Sequence, residues 1–100
     1  MLVHTVLFDP ASPEAEARIR EACEILAGLS LPGMSGFRHG PNRDFEGKSA
    51  RYTYGFMVLF ENRDVHLAYE GHPDHVRAGG IMVENSRGGH DGIFVSDLEV

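Results

Sequence analysis

Hydrophobic and polar positions recur along this chain with two different periods. Val3 to Phe8 is a short run rich in β-branched and aromatic residues and stops at Asp9-Pro10, which predicts a buried strand. From Ser12 onward the period lengthens. Ala15, Ile19, Ala22, Cys23, Leu26 and Leu29 follow at spacings of three and four, giving one apolar stripe on a helix. Ser12 supplies its N-cap, Pro13 its first residue, Glu14 and Glu16 favour the positive end of the dipole, and Gly28 fits the C-terminal cap.

Leu31-Pro32-Gly33 turns the chain into a second strand, Met34 to Pro41, weakened by Gly36 and Gly40. Asn42 to Ser49 is polar and reads as a hairpin loop. Ala50 to Phe60 carries the strongest strand pattern. Tyr52, Tyr54, Phe56, Val58 and Phe60 share one parity, and Thr53, Gly55, Met57 and Leu59 the other. Both faces are largely apolar, so both are expected to be covered. Helices cover one face; the other, with Phe94 and Leu98, is expected to meet a second subunit. Asn62 caps a second helix carrying Val65, Leu67, Ala68 and Tyr69, ended by Gly71 and Pro73. Asp74 is expected to cap a further short helical piece through about Val83. Asn85 to Gly92 reads as a loop, and Ile93 to Val100 as a closing strand.

The order strand, helix, strand, strand, helix, strand predicts an α+β fold: a ferredoxin-like four-stranded antiparallel sheet with two helices on one face. One hundred residues, 42% of them hydrophobic, make a single domain over residues 1–100. The net charge is −6 and the few basic residues are scattered, which argues against nucleic acid or an anionic membrane as partner. The N-terminus lacks a basic region ahead of its short apolar run, so neither a signal peptide nor a membrane span is expected. Cys23 has no intrachain partner and lies in the helix stripe as a core residue. A cytoplasmic location is the expectation.

Candidate chemistry concentrates in Tyr69-Glu70-Gly71-His72-Pro73-Asp74-His75. It places a phenol and two imidazoles beside a helix-ending Gly and Pro, and histidine is the side chain that titrates near neutrality. A metal reading of His72 and His75, with His66 six residues earlier, is disfavoured because Pro73 breaks the helix between the pair. No metal or cofactor is expected. His39 and His90 stand in loop-like contexts and carry no argument. The Gly79-Gly80 and Gly88-Gly89 pairs read as flexible connectors that could form a lid over a cleft.

These residues resemble the stress-responsive dimeric α/β-barrel (Dabb) family. The resemblance rests on His4-Thr5-Val6-Leu7-Phe8, Gly40-Pro41-Asn42, Tyr54-Gly55-Phe56-Met57-Val58-Leu59-Phe60, the Tyr-x-x-His-Pro-x-His signature at Tyr69 to His75, and Val95-Ser96-Asp97. It implies a ferredoxin-like subunit whose sheet packs against that of a second copy, closing a dimeric barrel. The plant polyketide cyclases of the olivetolic acid cyclase type are its best-understood members. They imply His75 as general base, Asp97 as its orienting carboxylate and Tyr69 as the carbonyl-polarising phenol. His4 becomes a pocket imidazole. Tyr54 stands where the cyclase has a histidine, and His72 precedes Pro73, where its ring can also fix the turn. His4, Tyr54 and His72 are therefore the substrate-binding candidates.

Two functional readings follow. One is a small cofactor-free enzyme, cyclase-like, that binds an apolar carbonyl-bearing molecule between sheet and helices. The other is a non-catalytic, stress-associated dimeric binding protein.

Overall fold

A computed structural model describes residues 1–100. Strand β1 (Leu2–Phe8) leads into helix α1 (Pro13–Ala27), strand β2 (Met34–Pro41) and strand β3 (Tyr54–Phe60). Helices α2 (Arg63–Gly71) and α3 (Pro73–Asn85) follow, then a single 3-10 turn (Gly89–Gly92) and strand β4 (Ile93–Glu99). The sheet is antiparallel in the order β2-β3-β1-β4, the expected ferredoxin-like arrangement, with three helices rather than two.

Capping explains the helix starts. The Ser12 hydroxyl accepts from the Ala15 amide at 3.0 Å, and the Asn62 side chain accepts from the Val65 amide at 3.1 Å. His72, not Asp74, caps α3: its Nδ1 accepts from the Asp74 amide at 3.1 Å, with Pro73 as the first helical residue. The α3 helix then runs straight through Gly79 and Gly80, which are helical and not connectors. Two interior glycines cost about 1 kcal/mol each relative to alanine; Ala78 and Met82, both buried on the same helix, offset that by packing into the core.

The register decides which residues share a face. His4 lies opposite Val58 and Asp97, Val6 opposite Phe56 and Val95, and Phe8 opposite Tyr54 and Ile93. That face meets the helices. Phe8, Val58 and Phe60 from the sheet and Ile19, Leu26 and Cys23 from α1 are fully buried in one core with Tyr69. The opposite face carries Leu7, Met57 and Leu59, and leaves Phe94 and Leu98 exposed at 46% and 60%.

Regular alternation in the third strand begins only at Tyr54, which corrects the expectation for the residues before it. Tyr52 closes a turn onto the Ser49 carbonyl at 2.9 Å, and its ring sits 5.9 Å from Phe94. Thr53 turns the other way and donates its hydroxyl to Glu16 of α1 at 2.8 Å. Thr53 is therefore no part of the face that carries Met57 and Leu59. In β2 the pairing slips between Ser35 and Arg38, where Gly36 adopts φ +65°. The slip sets His39 opposite Phe56, on the helix-facing side.

Candidate functional site

Adjacent antiparallel strands hold paired residues on one face, and this brings His4 of β1 against Asp97 of β4. The imidazole Nδ1 lies 2.5 Å from the carboxylate Oδ1. A carboxylate only accepts, so Nδ1–H donates, and Nε2 is left with its lone pair. The His4 ring is buried, whereas the Asp97 side chain keeps 38% of its surface.

Helix α2 supplies the opposite wall. Its inward side carries His66 and Tyr69, while Leu67 and Ala68 face outward. The His4 ring lies 5.1 Å from that of His66 and 5.8 Å, edge-on, from that of Tyr69. Glu70 follows His66 by one helical turn and sits 3.2 Å from its Nε2, and the Arg63 guanidinium abuts Nδ1 of the same ring. Burial pushes the His66 pKa below the usual imidazole range, partly countered by Glu70.

The Tyr69 hydroxyl is the one buried side-chain polar atom in the protein without a hydrogen-bond partner. Burial raises its pKa well above the ordinary phenol range, with Cys23 and Glu70 adding to the effect. The phenol therefore keeps its proton and remains a donor.

His75, from the first turn of α3, packs against Tyr69 with ring centroids 4.4 Å apart and the rings tilted by 55°. Its Nδ1–H donates to the Glu70 carbonyl at 3.0 Å, which leaves Nε2 as an acceptor. Burial lowers its pKa, with the Glu70 carbonyl working against that. The expected His75–Asp97 pair does not form, because the strand register commits Asp97 to His4 instead.

A cavity of about 250 Å³ joins these groups. Its polar lining is His4, His66, Tyr69, Glu70, His75, His90 and Asp97, and its apolar lining includes Val6, Phe8, Phe56, Met82 and Ile93. That volume is on the order of eight water molecules, so an occupant is small and meets both surfaces. Tyr69, His75, Asp97 and His4 are thus gathered as the sequence suggested. Tyr54 and His72 are not. The Tyr54 hydroxyl is spent at 2.7 Å on Nδ1 of His39, whose Nε2 is held by Glu24 at 2.9 Å, and the His72 ring is spent on capping α3. Sequence reasoning passed over His66 as a pocket residue, and gave no role to His90 or to His39. His66 was detectable from its place three residues before Tyr69, one helical turn away on the same side.

No helix is long and apolar enough to cross a membrane. No functionally curated protein matches the chain. Among solved structures, a dimeric ferredoxin-like protein of unknown function from Jannaschia sp. CCS1 is 53% identical, with a TM-score of 0.95 over 99% of this chain and 98% of that one. A Dabb family protein with a ferredoxin-like fold from Mesorhizobium loti is 22% identical, with a TM-score of 0.74 over 99% and 95%. A hydroxynitrile lyase from Passiflora edulis shares the fold at 14% identity, with a TM-score of 0.76 over 99% and 92%. The stress responsive A/B barrel domain matches residues 2–100, and the chain belongs to that family, Dabb.

Proposed function

We propose that this protein is a homodimer whose cavity binds a small, largely apolar, carbonyl-bearing molecule and moves a proton next to the carbonyl. The orphaned Tyr69 hydroxyl carries this reading. A buried donor without an acceptor costs about 1–3 kcal/mol; the hydroxyl is closed off in the free protein, and a ligand carbonyl that parts the side chains over it supplies the acceptor from the adjoining cavity. In this scheme Tyr69 donates to the carbonyl oxygen, and its hydrogen bond strengthens as enolate charge develops there. His4 Nε2 takes the proton from the neighbouring carbon, and Asp97 holds the ring in the tautomer that leaves Nε2 free. His75 Nε2 is a second acceptor beside Tyr69. His4 thus takes the role of base that the resemblance assigned to His75. The dimer reading is supported by the exposed apolar side chains of Phe94 and Leu98, and by the dimeric state of the Jannaschia relative.

The test is proton exchange. Acetophenone in D2O, with the protein and a chelator, exchanges its methyl protons faster than in buffer if the reading holds, and His4→Asn removes at least about a hundredfold of that acceleration. Saturable binding of the ketone with no exchange above buffer favours the non-catalytic binding protein instead.

A further inference from the structure

Outside its proton chemistry, the cavity wall combines two ligand pairs of different origin. One is the cross-strand pair His4 and Asp97; the other is His66 and Glu70, one turn apart on α2. Donor atoms of His4, His66 and Asp97 all lie within 4.8 Å of one another, and Glu70 Oε1 is 3.2 Å from His66 Nε2. We propose that His4, His66 and Asp97 form a site for a borderline-soft divalent cation of the zinc class, which Glu70, outside that cluster in the free protein, joins as fourth ligand by turning its half-exposed side chain inward.

Two imidazoles with carboxylates are the donor set such ions favour, whereas magnesium and calcium take oxygen ligands. Bonds of about 2.0–2.2 Å in a tetrahedron put neighbouring donors about 3.3–3.6 Å apart. The His66–Glu70 pair, at 3.2 Å, is already close to that spacing. His4 and Asp97, at 2.5 Å, part slightly as the ion replaces the proton between them. His66 closes from the other side.

The surroundings suit a cation. The adjoining opening is lined by the carboxylates of Glu70, Asp97 and Glu99 against the single guanidinium of Arg63. Arg63 now occupies Nδ1 of His66, and its side chain is 61% exposed, so it can turn outward when the ion takes Nε2 and the ring proton moves to Nδ1. The sequence motif His72-x-x-His75 plays no part in this site; His72 caps α3 instead.

Calorimetric titration of the chelator-stripped full chain with zinc chloride tests the site, with cobalt(II) absorbance reporting the geometry. The expected result is one ion per chain, bound at about 1 μM or tighter. His66→Gln and Asp97→Asn each weaken it at least about tenfold, Arg63→Ala tightens it, and His39→Gln leaves it unchanged. If His66→Gln loses its fold by circular dichroism, Asp97→Asn and Glu70→Gln decide, since both act on partly exposed side chains. Absence of saturable uptake overturns the proposal, as does uptake that survives Asp97→Asn or is lost in His39→Gln. The ketone exchange is run with chelator present, so a failure here leaves the proton-transfer reading standing, and the reverse also holds.

Discussion

His4 and Asp97 stand 93 positions apart in the chain and meet at 2.5 Å across neighbouring strands. The contact is a consequence of register: a shift of one residue between β1 and β4 would turn one of them to the other face of the sheet. Its chemical effect is to fix which ring nitrogen of His4 bears the proton.

Asp97→Asn tests that effect. The amide keeps the shape of the carboxylate but can present an N–H where His4 needs an acceptor, which favours the wrong tautomer. We expect the ketone exchange to fall by about a hundredfold, with little change in melting temperature because Asp97 is partly exposed. Nitrogen-15 shifts of His4 report the tautomer directly and should move from Nδ1–H toward a mixture.

Tyr69→Phe separates stability from function. Removing a buried hydroxyl that has no partner relieves an unmet desolvation cost, so the free protein should gain about 1 kcal/mol in urea unfolding. The same variant should bind acetophenone more weakly, by about tenfold. A loss of stability would mean that the hydroxyl is satisfied in solution.

His66 and His75 make the fold sensitive to acid. Burial lowers both pKa values in the folded state, so between those values and the unfolded value, about 6.5, the unfolded chain binds more protons. Their contribution is intact above about pH 6.5 and is lost as the pH falls below it. Melting temperature should therefore decline on acidification from pH 7 toward 5, and His66→Gln together with His75→Gln should flatten that decline.

The outer face of the sheet makes a prediction about assembly. Leu98 projects there on the same face as Phe94 and is more than half exposed in the single chain. Leu98→Arg places a charge where the proposed partner would cover it, which is costly to desolvate. Sedimentation should show a dimer for the native protein and a monomer for the variant. A native monomer at micromolar concentration would contradict the homodimer.

Where local pattern and tertiary packing agree, the fold was legible from sequence. The α1 stripe from Ala15 to Leu26, its Ser12 and Gly28 caps and the strand ending at Phe8 appear as anticipated, because each rests on neighbours in the chain; Leu29, counted in the stripe, falls past the helix end. Helix α3 was underestimated because glycine at positions 79 and 80 argues locally against a helix, while the burial of Ala78 and Met82 that sustains it is tertiary. The same distinction governs the site. Tyr69 and His75 were readable from one short segment, but the partner of Asp97 depends on the register of β4, which no local spacing encodes. His39 reaches Tyr54 only through the slip at Gly36, so Tyr54 could not be recognised in advance as already occupied.

The central claim is that His4, rather than His75, is the base in this cavity. It is tested most directly by measuring deuterium exchange into acetophenone for His4→Asn and His75→Asn side by side, with both variants verified as folded. The structure predicts at least about a hundredfold loss for His4→Asn and less than about tenfold for His75→Asn, whose ring has no carboxylate to orient it. Full exchange activity in His4→Asn, with the loss found in His75→Asn, would contradict the assignment.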